Sequence, residues 1–251
     1  MSGHSKWHNI REKKSKVDAK KGQIFTKAAK EIFIAIKEGG GDPETNYRLK
    51  MAIQKAKEVN MPADNIKRAI EKAQGQSDSA NYEEVIYEGY GPNGIAVILE
   101  VATDNRNRTA AELRTLFSKN GGNLGETGCV AWMFEKVGLI IVRSDRITEE
   151  ELMEFALDNG AEDVRLSGDS FEVISKPANF HTLKKAFSDK TMVFESAEIT
   201  MLPKNTVSVS ESDKARSILR LMDALDDHDD VQNAYANFDI SEEILNEAAG
   251  K

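Results

Sequence analysis

LIIVRSDRITEEELMEFALDNGAEDVRLSGDSFEVISKPANFHTLKKAFSDKTMVFESAEITM, Leu139–Met201, is the stretch that decides the fold. Leu139–Arg143 is an apolar run of strand length. Thr148-Glu149-Glu150-Glu151 has the form of a capping box and opens a helix to Asp158. Asp163–Leu166 and Phe171–Ile174 flank Ser167-Gly168-Asp169-Ser170, which predicts a hairpin. Pro177 begins a second helix through Phe187, and Met192–Met201 is a last strand. The order β-α-β-β-α-β is the split βαβ, or ferredoxin-like, unit. It predicts a complete domain over 136–203.

The flanking segments make two halves of another unit. Glu84–Tyr90 and Ile95–Thr103 read as strands joined by Gly91-Pro92-Asn93-Gly94. A helix carrying Ala110, Leu113, Leu116 and Phe117 follows, capped by Asn107 or Thr109 and ended by Asn120-Gly121-Gly122-Asn123. Cys129–Phe134 then reads as a strand. Beyond the 136–203 unit come a strand at Asn205–Val209, a helix from Ser210-Glu211 to Leu225 and a strand at Val231–Phe238. Joined, these halves predict a discontinuous ferredoxin-like middle domain, 82–135 plus 204–240, with the other inserted in it. Residues 241–251 form a tail holding a short acidic helix.

The N-terminal third has a different period. Val17, Ile24, Phe25, Ala28, Ala29, Ile32, Phe33 and Ile36 recur at helical spacing, with Lys16, Lys20, Lys27, Lys30 and Lys37 opposite. The helix should thus pair an apolar stripe with a lysine stripe open to solvent or phosphate, ending at Gly39-Gly40-Gly41. Asp42-Pro43 predicts a second helix with Asp42 as N-cap, and Ile66, Ala69, Ile70 and Ala73 carry a third to Gly75. Residues 1–75 are thus a three-helix domain, separated by a polar linker. The fold class is α+β in three domains.

Charge divides the chain the same way. Residues 1–75 hold 17 Lys or Arg against 9 Asp or Glu, a net of +8, whereas the whole chain is −8, leaving −16 for the rest. Within Ser2–Lys30 nine cations face only Glu12 and Asp18. A basic arm on an acidic body points to a polyanionic partner. Lys6, Arg11, Lys13, Lys14, Lys16, Lys20, Lys21, Lys27 and Lys30 are the candidates for phosphate contact, with Trp7 and His8 for stacking on bases. A second polar cluster, Asp104-Asn105-Arg106-Asn107-Arg108, precedes a helix and is either anion-binding or salt-bridged to neighbouring acids.

Other chemistries find little support. One cysteine, Cys129, excludes an internal disulfide framework and fits a reducing cytoplasm. No membrane-length apolar run or secretory signal is present, and the basic N-terminus reads as mature protein. Gly89-Tyr90-Gly91-Pro92-Asn93-Gly94 spells G-x-G-x-x-G but precedes a strand, so it reads as a hairpin turn and not a dinucleotide site. His4 and His8 lack a third metal ligand nearby. Asp226-Asp227-His228-Asp229-Asp230 lacks the glycine and distal glutamate of a calcium loop and reads as a solvated helix end. No nucleophile constellation is visible. The expectation is a protein without cofactor, metal or catalytic site.

Laid out in order, the motifs resemble those of the YebC/PmpR family, which includes the mitochondrial translational activator of cytochrome c oxidase. They are Gly3-His4-Ser5-Lys6-Trp7 with Ile10-Arg11, Asp18-Ala19-Lys20-Lys21-Gly22, Phe25-Thr26-Lys27, Met61-Pro62, Tyr87-Glu88-Gly89-Tyr90-Gly91-Pro92, Thr103–Thr109 and Gly121-Gly122-Asn123-Leu124-Gly125. The resemblance runs from residue 2 to about 238 and implies three domains, the first helical and the others α/β. For function it implies a non-enzymatic, DNA-binding transcriptional regulator, or else a ribosome-associated translation factor meeting ribosomal or transfer RNA. The contrasting class is an enzyme using the Asp104–Thr109 loop. Neither the target sequence nor the oligomeric state is legible.

Overall fold

A computed structural model describes residues 18–75 and 82–248, with the side chains of Asp18, Ala19, Lys20, Glu242 and Asn246 outside the described set. The chain is mixed α/β: a helical region followed by helices interleaved with sheets. The helical region comprises α1 (Asp18–Gly39), α2 (Tyr47–Glu58) and α3 (Ala63–Gly75). Their shared core buries Ile32, Ala35, Ile36, Leu49, Ala52, Ala56, Met61, Ile66 and Ala69. The helix–helix packing follows the apolar spacing expected of α1.

The α1–α2 corner differs from expectation. Gly40, at φ 83°, ends α1 where an L side chain would be strained. Asn46, not Asp42, caps α2. Its side-chain oxygen accepts from Leu49 N at 3.0 Å, while its Nδ2 donates to Ala35 O and Gly40 O at 2.7 Å each. One buried amide thus satisfies the end of one helix and the start of the next, which Asp42 cannot do because an ionised carboxylate has no donor. Asp42 instead closes a turn, accepting from Glu44 N at 3.0 Å.

The first sheet has strand order β3-β1-β2-β9. It is built from β1 (Glu83–Tyr90), β2 (Ala96–Thr103), β3 (Asn123–Leu124) and β9 (Val231–Ala236), all antiparallel. The glycine-rich hairpin turn holds one 3₁₀ turn, Pro92–Gly94, and Gly91 N donates to Ile95 O at 2.8 Å. One face of this sheet packs on α4 (Arg106–Lys119) and α7 (Ser212–Asp226), burying Val97, Leu99, Leu113, Phe117, Ile218 and Leu225.

The second sheet comprises β4 (Phe134–Arg143), β5 (Ala161–Ser167), β6 (Ser170–Ser175) and β7 (Ser196–Pro203), in order β5-β6-β4-β7 and antiparallel throughout. Helices α5 (Glu149–Asp158) and α6 (Phe180–Asp189) cover one face over Ile140, Leu152, Phe171, Val173, Leu183 and Phe187. The capping box at Thr148 and Glu151 is present as expected.

Several strand expectations need correction. Cys129–Phe134 is not a strand: it holds a 3₁₀ turn at Ala131–Met133, and only Phe134 belongs to β4. The outer neighbour of β1 is the two-residue β3. Strand β8 (Val207–Val209) does not join the first sheet, pairing in parallel with β10 (Phe238–Ile240). The first sheet therefore lacks the ferredoxin-like strand set. A short α8 (Glu242–Ala248) follows, and its Leu245 is buried in the first-sheet core. Among the described residues no helix is long and apolar enough to cross a membrane.

Candidate nucleic-acid interface

Helix α1 presents its apolar stripe to α2 and α3 as the sequence requires, and on its opposite face Lys37 is exposed while the segment holding Lys27 and Lys30 is covered. That segment meets the turn after α7. Lys30 Nζ lies 2.5 Å from Asp230 Oδ1 and donates to Asp229 O at 2.9 Å. Lys27 Nζ donates to Asp226 O at 2.6 Å and sits 3.6 Å from the Asp226 carboxylate. Gln23 Nε2 donates to Asp227 O at 2.6 Å. The last carbonyls of α7 have no partners inside their own helix and carry its negative dipole end, so cations are favoured there. Lys30 is thus buried, which corrects the expectation of a phosphate contact at this residue. Lys27 is likewise engaged.

Asp230 is the centre of the cluster. Its Oδ2 accepts from Thr109 Oγ1 at 2.6 Å and from Arg108 Nη2 at 3.0 Å. Burial pushes the Asp230 carboxyl up, but hydrogen bonds from Lys30, Thr109 and Arg108 outweigh this and hold it well below the usual carboxylate range. Residues 226–230 are therefore not the solvated helix end expected of them. The side chains of Lys30, Thr103, Thr109 and Asp230 share one buried network, which Arg108 joins from the exposed side.

The Asp104–Arg108 cluster belongs to this network. Asn105, not Asn107 or Thr109, caps α4, accepting from Arg108 N at 3.1 Å. Asn107 therefore lies in the first turn, and Thr109 is released to bond Asp230. Arg106 pairs with Glu83 at 2.8 Å, and Arg108 bridges Asp104 at 2.8 Å and Asp230 at 3.0 Å. Both arginines are held by acids.

Glu112, His228 and Asp230 place ligand-type atoms within 4.8 Å of one another. The hydrogen bonds already fix their roles. His228 Nδ1 accepts from Asp230 N at 3.1 Å, so Nε2 carries the hydrogen facing Glu112 at 2.9 Å. The imidazole props the turn and offers no lone pair to a cation.

Further contacts tie the helical region to the sheets. Arg48 of α2 bridges Glu31, Glu38 and Glu84 of β1 at 3.2, 2.6 and 2.5 Å. The Tyr47 ring meets His181 of α6 edge-on at 5.3 Å. In the first sheet, Glu88 is buried and accepts from the backbone N–H groups of Gly128, Val130 and Ala131 at 2.7–2.8 Å. Burial raises its carboxyl, and the three donors more than compensate, leaving it below the ordinary range.

Lys6, Trp7, His8, Arg11, Lys13, Lys14 and Lys16 lie outside the described residues, as does the side chain of Lys20; Lys21 is exposed. The sequence reading missed a second set of cations. Lys50, Lys55 and Lys57 on α2 and Lys67, Arg68 and Lys72 on α3 are all exposed, and Lys67 is 3.8 Å from Glu71. Their signal was available: they occupy the polar positions between the apolar residues of two amphipathic helices.

Comparison with known proteins covers nearly the whole chain. The family profile described as "TACO1/YebC protein N-terminal domain" matches residues 5–76, and "TACO1/YebC second and third domain" matches 82–238. A "Probable transcriptional regulatory protein" of Syntrophomonas wolfei is 56% identical over 98% of this chain and 99% of its own length. One of the same description from Natranaerobius thermophilus is 53% identical, with the same coverage. The crystal structure of a conserved hypothetical protein from Aquifex aeolicus is 44% identical, with a TM-score of 0.80 over 92% of this chain and 95% of that one. With both profiles matched in sequence order and relatives of full length, this chain belongs to the TACO1/YebC family.

Proposed function

We propose that this protein is a non-enzymatic nucleic-acid-binding regulator, acting on DNA in transcription through its basic N-terminal region. The observation that carries this is the charge division: +8 over residues 1–75 in a chain of −8. With Lys27 and Lys30 docked, the phosphate contacts fall to Lys6, Arg11, Lys13, Lys14, Lys16, Lys20 and Lys21, with Trp7 and His8 stacking on bases. The exposed cations of α2 and α3 extend that surface. The relatives' printed descriptions as transcriptional regulators support the assignment.

Within this proposal residues 1–75 are the binding domain. Residues 136–203 form a ferredoxin-like insert in a discontinuous middle domain of 82–135 plus 204–240. The acidic body limits non-specific adhesion to polyanions and offers a surface for a protein partner. The protein acts in the cytoplasm. A ribosome-associated translation factor, binding ribosomal or transfer RNA, is the second reading, favoured by the body's net charge of −16, which opposes unaided capture of long duplex DNA.

The test is binding of full-length protein to labelled mixed-sequence duplex DNA and to an RNA stem across a salt series. Affinity should fall steeply with salt, by a slope of about 0.9 per phosphate neutralised on DNA. Changing Lys13, Lys14, Lys20 and Lys21 together to Glu should abolish binding. Unchanged affinity would overturn the proposal.

A further inference from the structure

We propose that a single polynucleotide strand binds across the junction of α2 and α6, with an unpaired base on the exposed Tyr47 ring and phosphates on Lys50 and Lys57 of α2 and Lys184 and Lys185 of α6. This rests on the nucleic-acid assignment above and deepens it. It adds a helix of the second-sheet part to the interface and names an unpaired strand as the portion of the target met there.

The junction is one ring pair. Tyr47 is the first residue of α2 and His181 the second of α6, and their rings meet edge-on at 5.3 Å. Tyr47 is nevertheless 55% exposed. On a helical wheel it stands opposite Leu49, Ala52 and Ala56, so the α2 core does not need it. An edge-on contact uses at most one face of the phenol ring, which leaves the other for a partner.

Cations gather on both sides of this pair. Lys50 follows Tyr47 by three positions, and Lys184 and Lys185 follow His181 by three and four. Residues at these spacings are neighbours on a helix, so each of the three lysines stands within one turn of a ring. Lys57 follows Lys50 by seven, two turns along the same side of α2. Partial burial and the Lys184 ammonium both push the His181 imidazole down, an independent sign that this charge faces the ring pair.

These four lysines have no ion-pair partner among the described residues. By contrast Lys176 pairs with Glu162 at 3.2 Å, and Lys190 lies 4.5 Å over the Phe155 ring. Glu58, the acid on the same side of α2, accepts from Gln54 Nε2 at 3.1 Å. The setting is also unusual: residues 176–190 hold four Lys against Asp189, a net of +3 inside a part of the chain whose net is −16. An exposed ring among unpaired cations suits a single strand, because every unpaired base has a face to stack and the lysines take the phosphates beside it. In a duplex the base faces are covered by their neighbours, and only the lysines would count.

The experiment titrates labelled single-stranded DNA, single-stranded RNA and duplex DNA of one mixed sequence across a salt series. The proteins are full-length wild type, Tyr47→Leu, Tyr47→Phe, Lys184/Lys185→Ala and the Lys13/Lys14/Lys20/Lys21→Glu variant. Tyr47→Leu should raise Kd about tenfold on a single strand and leave the duplex Kd unchanged. Tyr47→Phe keeps the ring and should bind as wild type does. Lys184/Lys185→Ala should lower the salt slope on a single strand by about 1.4, at about 0.7 per phosphate contact. A role confined to holding α2 against α6 would move neither the salt slope nor the difference between strand and duplex. The tighter single strand, DNA or RNA, identifies the source of the unpaired bases. Wild-type strand binding by both Tyr47→Leu and Lys184/Lys185→Ala, with binding lost in the Lys13/Lys14/Lys20/Lys21→Glu variant, would overturn the junction site alone. Equal losses on strand and duplex from Tyr47→Leu would overturn the stacked base. Wild-type binding by the Lys13/Lys14/Lys20/Lys21→Glu variant would overturn the N-terminal assignment, and a wild type that binds no probe would overturn both.

Discussion

Lys30 and Asp230, 200 residues apart, meet at 2.5 Å with side chains only 7% and 6% exposed. The contact closes the chain on itself, seating α1 on the turn between α7 and β9. A buried ion pair is costly to desolvate and adds little net stability over a well-packed apolar pair. What it contributes is register, because each charge has one acceptable partner. Here Asp230 also takes Thr109 and Arg108, so helices α1 and α4 and strand β9 are brought to one carboxylate.

Breaking one side of this pair should be expensive. Asp230→Ala leaves the Lys30 ammonium buried without its counter-ion and should cost about 3–5 kcal/mol. Chemical denaturation of the full chain measures it, and a cost below about 1 kcal/mol would show that the cluster is not a structural centre.

The same carboxylate sets an acid dependence. Its folded value lies below the ordinary aspartate range, so its contribution is complete above that range and is lost as pH falls toward the folded value. Glu88 shifts in the same direction and adds to the effect. Stability should fall from about pH 5 downward. Asp230→Asn should flatten that descent, whereas an unchanged profile would assign the acid sensitivity elsewhere.

Glu88→Gln probes the first sheet. The carboxylate accepts three backbone N–H groups at 2.7–2.8 Å, and an amide would turn a donor toward at least one of them. The expected loss is about 1–3 kcal/mol, read by thermal melting. No loss would mean the 126–131 segment is held by its apolar contacts alone.

Gly122→Ala should destabilise through backbone crowding. A Cβ there would stand 2.6 Å from Tyr90 O and 3.1 Å from Gly91 Cα, neither of which can swing aside. The melting temperature should fall, and near-ultraviolet circular dichroism should report a disturbed β1–β3 edge. Unaltered stability would show that this close approach relaxes freely.

Local signals carried the second sheet from the sequence: an apolar run, a capping box at Thr148, and the Ser167–Ser170 turn appear where their spacing put them. The α1–α2 corner was misread because Asn46 can donate and accept at once, an advantage visible only when Ala35 and Gly40 are brought near it. Asp226–Asp230 looked like a solvated helix end because nothing nearby in sequence neutralises it; its partners lie about 200 residues upstream and in α4. The lysine stripe of α1 was read correctly as a polar face, but at Lys27 and Lys30 that face is covered, since periodicity cannot distinguish water from an acidic turn. Strand β8 left the expected sheet because Phe238–Ile240, immediately after β9, offers it a parallel partner.

The most direct test of the central claim is photochemical crosslinking of the protein to nucleic acid in its own cells, with the crosslinked peptides identified by mass spectrometry. Adducts should concentrate within residues 2–21 and on the exposed faces of α2 and α3, and the attached sequences should come from promoters. Ribosomal or transfer RNA on the same peptides would keep the interface and move the role to translation. Adducts confined to the acidic part, residues 82–248, would contradict the account.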